Sequence, residues 1–254
     1  MAMPDSWREM FAAHAQSALY QERLEQARSR LLAAPDGMLH VAFSGGKDSL
    51  VCLDLALETL GPERLWVAHY DFGRPDAKVS NVFPEWFERE VEQTVRGHFG
   101  LALTVITKPR NFRTIEQSSA NRQEGTRVIL LGDGEFWIRG VAQRARQAGC
   151  VASIVGLRAK ESGARRRRVK QGDWISGGLP EVWPIADWSE TDVWAHIVAR
   201  GLPYTRAYDE QAALFGTYLG LRTRSLFDDG CKAVSDGAVD GVLHWRDRPQ
   251  VRPI

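Results

Sequence analysis

The chain has 254 residues with a formal net charge of +1, 44% hydrophobic residues and 26% charged residues. This length and composition favour a globular protein with one large α/β domain, or one domain with a small appendage. The charge balance excludes a global field that attracts nucleic acid or membranes, so any such attraction is local, and no apolar run approaches the roughly 20 residues of a membrane span.

The N-terminal stretch predicts helices rather than a targeting signal. Residues 1–30 are polar and charged throughout, which argues against a secretory signal and makes a cytoplasmic protein the expectation. Apolar residues recur among charges over residues 5–33, after the helix-start residues Asp5 and Ser6. We expect one or two amphipathic helices that pack outside the core of the following domain or on a partner subunit.

A glycine turn between a predicted strand and a predicted helix organises the chain. Residues 39–43 suit a buried strand, and the leucine-rich residues 50–57 suit a buried helix. Between them lie Ser44, Gly45, Gly46, Lys47, Asp48 and Ser49. Such a turn directs free backbone N–H groups and the positive helix end at one point, where the lysine and the serine hydroxyls add donors. The sequence therefore predicts an anion site.

This turn resembles the PP-loop of the ATP pyrophosphatase and phosphoadenosine phosphosulfate (PAPS) reductase superfamily, whose Ser-Gly-Gly-Lys-Asp-Ser pattern it matches at all six positions. Val41 and Asp48 depart from a Walker A loop, and no G-x-G-x-x-G motif occurs. The resemblance implies a Rossmann-like α/β domain with a single parallel sheet, ATP as ligand, and catalytic roles for Lys47 and Asp48. Asp48 is also the candidate Mg²⁺ contact. The alternatives are a helix-start role for Asp48 and a plain connecting turn.

The next predicted strand, residues 65–70, forms a parallel pair with the first. His69 and Asp71 lie at its carboxyl end, where open parallel sheets bind ligands, and they are candidate nucleotide-binding residues. The family has an Asp-Thr-Gly-type and a Phe-Pro-Glu-Thr segment here, which residues 71–73 and 83–86 match in part. An ordinary strand end is the alternative. Further elements are predicted in the order helix 85–96, strand 101–107, strand 128–131, helix 135–148 and strand 150–157.

A second motif follows the last of these strands. It resembles the Gly-Leu-Arg…Glu-Ser…Arg motif of the PAPS reductase family, with Gly156, Arg158, Glu161, Ser162 and Arg165 at the matching positions. Because the carboxyl ends of parallel strands share one edge, both arginines can lie near phosphates held by the turn, and guanidinium groups bind phosphate in a bidentate way. The resemblance implies nucleotide-binding roles for this segment and catalytic roles for both arginines. The alternative is a solvated basic loop.

The basic run continues past this motif through Arg166, Arg167 and Arg168 to Lys170. Such a run is often only a solvated surface. It also suits a polyphosphate or a nucleic-acid backbone, so nucleic acid bound by residues 165–168 is a candidate partner.

A third stretch, residues 184–194, predicts a capped helix. Ser189 and Asp192 form a capping-box pattern, and Gly201 is placed to end the helix. The stretch resembles the family's Pro-Ile…Asp-Trp…Asp-Val-Trp…Leu-Pro-Tyr…Tyr pattern. We expect the helix to cover the rim of the site, with Trp188 and Trp194 as packing anchors.

The resemblance covers about residues 39–208, and the remaining tail diverges. Reductases of the family end on a cysteine nucleophile, and here Cys231 is the only cysteine near that position, whereas Cys52 and Cys150 lie far upstream. No C-x-x-C pair occurs, so we expect neither a disulfide framework nor an iron–sulfur cluster. The predicted organisation is a helical N-terminal extension (residues 1–37), a PP-loop nucleotide-binding domain (38–208) and a divergent C-terminal segment (209–254).

Three functions compete at this point. The first is an enzyme that cleaves ATP between its α- and β-phosphates and adenylates an acceptor, with Mg²⁺ as cofactor. The second is a thiol-dependent sulfonucleotide reductase that uses Cys231, although Asp228 and Asp229 would raise the pKa of that thiol. The third is a nucleotide- or nucleic-acid-binding subunit without turnover, and the chain can equally be a homo-oligomer.

Overall fold

A computed structural model describes residues 2–71, 85–107, 126–130, 137–172, 175–176 and 178–221. The helices are α1 (Asp5–Ala15), α2 (Ala18–Leu32), α3 (Lys47–Leu60), α4 (Glu85–Glu92), α5 (Trp137–Gln147), α6 (Gly163–Gln171), α7 (Glu190–Arg200) and α8 (Ala207–Phe215). The strands are β1 (Met38–Ala42), β2 (Leu65–Asp71), β3 (Leu103–Thr107), β4 (Arg127–Leu130), β5 (Cys150–Ile154), β6 (Ile175–Ser176) and β7 (Leu179–Val182). A π-helical turn, Gln93–His98, extends α4. Across these ranges no helix is long and apolar enough to cross a membrane.

The strands form one sheet in the order β4-β3-β2-β1-β5-β7-β6. All neighbouring pairs are parallel except β6 with β7. The chain builds outward from β1 to β4 and then returns to the other side of β1 with β5. In such sheets ligands bind outside the carboxyl ends of the strands at the point of reversal, here between β1 and β5. The prediction of a single parallel-sheet α/β domain is confirmed.

Helix α3 lies at the centre of the core. Its residues Leu50, Val51, Leu53 and Leu55 are at most 2% exposed. A helix with so wide an apolar surface must be covered on more than one side, and α3 contacts β1 and β2 as well as α2 and α7. The start of this helix is therefore held rigidly at the carboxyl edge of the sheet.

The N-terminal helices share this core. The fully buried Phe11 of α1 stacks on Trp194 of α7 with ring centroids 6.0 Å apart. The buried Asp192 carboxylate accepts a hydrogen bond from His14 Nε2 at 2.7 Å and pairs with Arg23. Helices α1 and α2 thus pack on helices of their own chain.

Helix α7 begins and ends as predicted. Ser189 and Asp192 form a complete capping box, and Gly201 ends the helix in the left-handed conformation with φ 61°. Trp188 and Trp194 are fully buried, which confirms their role as packing anchors. The aromatic rings around Trp194 extend the anchor toward the C-terminal segment, with centroids 5.2, 5.2 and 5.4 Å away for Tyr204, Tyr208 and Tyr218.

Candidate nucleotide-binding site

The turn of residues 44–49 joins β1 to α3 and is held together by its own serines. The Ser49 hydroxyl donates to the Gly46 carbonyl at 2.9 Å and accepts the Ser44 N–H at 3.2 Å. Gly45 has φ +76°, and a Cβ at this position would lie 2.6 Å from Val91 and 2.8 Å from Phe87. Glycine is therefore required both by the backbone conformation and by the packing of α4 beneath the turn.

Lys47 is buried rather than open to the turn, with 1% of its surface exposed. Its ammonium donates to the Leu221 carbonyl at 2.7 Å and lies 3.1 Å from Glu190 Oε1 and 3.7 Å from Asp48 Oδ2. Its backbone N–H donates to the Tyr208 hydroxyl at 2.9 Å. Burial alone would lower the pKa of Lys47, but the Asp48 carboxylate, followed by Tyr208 and Glu190, keeps the pKa above its ordinary value. Lys47, which is predicted to bind the anion, is thus charged, and its ammonium already contacts acceptors of the protein itself.

Arg158 brings the second motif onto the first. Its Nε donates to Asp48 Oδ1 at 2.5 Å, and the residue is 3% exposed. Gly156 lies against the start of α3, since a Cβ there would be 2.9 Å from the Asp48 backbone. Burial would raise the pKa of Asp48, but the Lys47 ammonium and the Arg158 guanidinium hold that pKa below its usual value. The two motifs therefore meet at the N-terminus of α3.

The Asp48 carboxylate is a poor fit for direct magnesium coordination in this arrangement. One oxygen accepts from Arg158 and the other faces the Lys47 ammonium. Within the described ranges no group of three or more His, Cys, Asp or Glu side chains is arranged to hold a metal ion. A magnesium ion that is bound to nucleotide phosphates keeps most of its waters and needs few ligands from the protein.

Glu161, Ser162 and Arg165 serve the start of α6 in this structure. The Ser162 hydroxyl accepts the Arg165 N–H at 3.1 Å, which caps the helix, and the Arg165 guanidinium pairs with Glu161. Further along, Arg168 donates to Glu181 at 2.5 Å. The Arg165 charge also contributes to the lowered pKa of Asp48.

His69 is buried beneath the turn. Its Nδ1 lies 2.8 Å from the Phe43 carbonyl and its Nε2 lies 2.9 Å from Glu88 Oε2. With Glu88 ionised both partners are acceptors, and an imidazole that donates to both of them carries two protons. Burial would lower the pKa of His69, but Glu88, the Phe43 carbonyl and Asp71 together raise it. His69 thereby supports the strand end from which the turn begins, and the buried Asp71 lies beside it on β2.

Sequence reasoning missed the groups that surround Lys47. Glu190 is the first residue of α7, Tyr208 belongs to α8, and the Leu221 carbonyl lies beyond the limit of the family resemblance. Glu190 and Tyr208 stand inside recognised patterns, but neither carries a local signal that it contacts the lysine. Residues 72–73 and 83–84 of the partial motif lie outside the described residues, as does Cys231.

The glycine turn, the strand order and the convergence of Arg158 on Asp48 define an α/β protein of the PP-loop class. The family model described as the phosphoadenosine phosphosulfate reductase domain matches residues 38–226, so the chain belongs to this family.

The relatives of this chain include proteins named for two activities. The chain is 25% identical over 191 residues to sulfate adenylyltransferase subunit 2 of a Mycobacterium species. The matched region covers 65% of this chain and 56% of the relative. The chain is 40% identical over 62 residues to adenosine 5'-phosphosulfate reductase of Neisseria meningitidis, 24% of this chain and 25% of the relative. The U34-tRNA thiolase NcsA of Methanococcus maripaludis is a similar solved structure, with a TM-score of 0.45, 13% identity and coverage of 73% of this chain and 64% of that one.

The chain spans between 25% and 64% of the length of these and the other curated relatives it matches. Membership of the family rests on the family model, which matches residues 38–226.

Proposed function

We propose that this protein is an enzyme that binds ATP at residues 44–49, cleaves the bond between its α- and β-phosphates, and adenylates an acceptor. The observation that carries the proposal is the meeting of the two motifs, with Arg158 Nε 2.5 Å from Asp48 at the start of α3. A helix N-terminus, a glycine turn and a buried guanidinium at one sheet edge suit a polyphosphate. The similarity to a sulfate adenylyltransferase subunit supports the adenylating reaction.

In this proposal an acceptor oxygen attacks the α-phosphorus, and the α–β bridging bond breaks. The bridging oxygen keeps the electron pair and leaves with pyrophosphate. The turn's backbone N–H groups, Lys47, Arg158 and Arg165 neutralise charge on the phosphates, so positioning and electrostatics supply the acceleration. Magnesium bound to the leaving phosphates would add positive charge at the same place.

A thiol-dependent reductase is the second candidate, because one relative is named as an adenosine 5'-phosphosulfate reductase. Among the described cysteines, Cys52 and Cys150 are both buried. Burial raises the pKa of the Cys150 thiol to about 11 and that of Cys52 further, which disfavours the thiolate that reduction needs at both positions. The reductase proposal therefore depends on Cys231.

Helix α6 supports nucleic acid as an acceptor or partner. Arg165 and Arg168 pair with carboxylates, but Arg166, Arg167 and Lys170 are exposed. Exposed cations along one short helix beside the site suit a phosphate backbone. A subunit that binds nucleotide or nucleic acid without turnover, and self-association of the chain, remain further proposals.

The deciding experiment follows the fate of ATP. The protein is incubated with α-labelled ATP, magnesium and a panel of acceptors that contains sulfate and short DNA and RNA, and the products are separated. AMP-linked product with equimolar pyrophosphate supports the proposal, whereas ADP with phosphate contradicts it. Cys231→Ser is the matched variant, and we expect it to turn over ATP as the wild type does. Thiol-dependent release of sulfite from adenosine 5'-phosphosulfate that is present in the wild type and lost in Cys231→Ser makes the reductase the better proposal.

A further inference from the structure

The Lys47 ammonium belongs to a closed ring of contacts that joins α3, α7 and the C-terminal segment. Lys47 donates to the Leu221 carbonyl at 2.7 Å and lies 3.1 Å from Glu190 Oε1. The other carboxylate oxygen of Glu190 accepts the Gly220 N–H at 2.6 Å. Glu190 therefore holds both the lysine and the chain segment whose carbonyl the lysine binds.

We propose that Glu190 is a positioning residue that holds Lys47 on the Leu221 carbonyl, and that a phosphate entering the turn competes with Glu190 for this ammonium. The inference rests on the proposed function, since it concerns the same anion site. The ammonium donates to the Leu221 carbonyl and lies near the Glu190 and Asp48 carboxylates, and Lys47 is only 1% exposed. A phosphate oxygen can therefore reach Lys47 only if one of these neighbours moves away.

Glu190 is the acceptor that can be replaced most readily. Leu221 is fully buried, whereas the Glu190 side chain is 19% exposed and can rotate toward solvent. The Asp48 carboxylate is held by Arg158. Anion binding should therefore exchange the Glu190 carboxylate for phosphate oxygen.

This exchange has a consequence for residues 219–221. When Glu190 turns away, the Gly220 N–H loses its acceptor, and Gly220 already has the backbone freedom of φ +82°. Tyr218, which directly precedes this segment, is held in place. Its carbonyl accepts a hydrogen bond from Trp194 Nε1 at 3.0 Å, and its hydroxyl donates to Asp209 at 2.5 Å. Loosening is thereby confined to the residues directly after Tyr218.

The test uses inorganic pyrophosphate and calorimetry on the full chain. Glu190→Gln keeps the shape and an acceptor for Gly220 but removes the charge that competes with the anion. We expect it to bind pyrophosphate about tenfold more tightly than the wild type, which corresponds to about 1.4 kcal/mol. Glu25→Gln, which makes the same charge change at a side chain that is 69% exposed, is the control and should bind as the wild type does. A purely structural Glu190 gives unchanged or weaker binding, which overturns the inference.

A second measurement needs no variant. Hydrogen exchange of the Gly220 amide should become faster when the wild type is saturated with pyrophosphate, and unchanged or slower exchange contradicts the competition. If the wild type binds pyrophosphate but neither expected change occurs, only the role of Glu190 is wrong. If neither wild type nor Glu190→Gln binds pyrophosphate, the turn is not an anion site, and both this inference and the proposed function are wrong.

Discussion

The basic residues at the turn and those on α6 are chemically alike but lie in opposite surroundings. Lys47 and Arg158 are 1% and 3% exposed and lie against carboxylates, whereas Arg166 and Arg167 on α6 are exposed. A buried charge is tolerated only beside a partner of opposite charge, so its position is fixed by the fold. An exposed charge keeps its hydrating water and needs no such partner. The difference separates residues that build the site from residues that are free to meet another molecule.

The same contrast occurs within α6. Arg165 and Arg168 lie three residues apart, which places them on one face of a helix, and they pair with Glu161 and Glu181. Arg166 and Arg167 lie between them and are more exposed. A run of identical residues is therefore divided by helical geometry into two pairs with different surroundings.

Among the buried and exposed basic residues, we expect the largest effect of substitution at Lys47. Lys47→Ala should abolish nucleotide turnover and lower the free energy of unfolding by about 3 kcal/mol, because it removes the cation beside Glu190 and leaves Asp48 with Arg158 alone. Denaturant unfolding and the ATP assay measure the two effects. The control is Lys47→Ala combined with Glu190→Gln, which should recover part of the missing stability. Full stability in the single variant would contradict a buried ion pair.

Arg158 should show the next largest effect. Arg158→Ala removes the guanidinium that donates to Asp48, so we expect about tenfold weaker ATP binding and a stability loss of about 2 kcal/mol. Titration calorimetry and urea unfolding provide the measurements. Arg158→Lys keeps the charge without the planar donor group. Its ATP affinity and stability should lie between those of the wild type and Arg158→Ala. ATP affinity equal to that of the wild type would exclude Arg158 from the phosphate site.

His69 gives a smaller effect that depends on pH. Because its pKa is raised in the folded state, its pairing with Glu88 contributes stability that is complete below the ordinary histidine pKa of about 6.5 and is lost as the pH rises through the folded value. The difference in unfolding free energy between wild type and His69→Gln should therefore be largest near pH 5.5 and shrink toward pH 9. Each unit by which the pKa is raised corresponds to about 1.4 kcal/mol. A difference that is constant across this range would mean that the imidazole is neutral.

The exposed arginines should change stability least. Replacing both Arg166 and Arg167 by alanine should alter the unfolding free energy by less than about 0.5 kcal/mol and spare ATP affinity. Oligonucleotide binding should weaken similarly for all sequences, and the salt slope should fall by about 0.7 to 0.9 for each phosphate that the variant no longer neutralises. The matched control replaces Arg165 and Arg168, which should instead cost stability. Absence of oligonucleotide binding by the wild type at low salt would remove nucleic acid as a partner.

Local patterns predicted the fold well. The glycine turn, the buried α3 and the capping box of α7 are each encoded within about a dozen neighbouring residues, and each is found at the predicted place. The approach of Arg158 to Asp48 spans 110 residues, yet it could be anticipated because parallel strands place their carboxyl ends at one edge.

Long-range side-chain partners could not be predicted in this way. Lys47 and Leu221 are 174 residues apart, and Lys47 and Tyr208 are 161 apart, with no strand order that links them. Nor did the sequence indicate α6, because its nine residues have almost no apolar periodicity. The cap at Ser162 is the available signal for this helix, but in the sequence it coincides with a predicted ligand motif.

Gly156 limits how the site can diversify. A methyl group there would meet not a movable side chain but the main chain at Asp48 and Ser49, at 2.9 to 3.0 Å. The spacing between the two motifs is therefore set by backbone lying against backbone, and no choice of residue at this position can widen or narrow it by degrees. We therefore expect related chains to keep glycine at position 156, and to differ in what the site accepts through residues elsewhere around it.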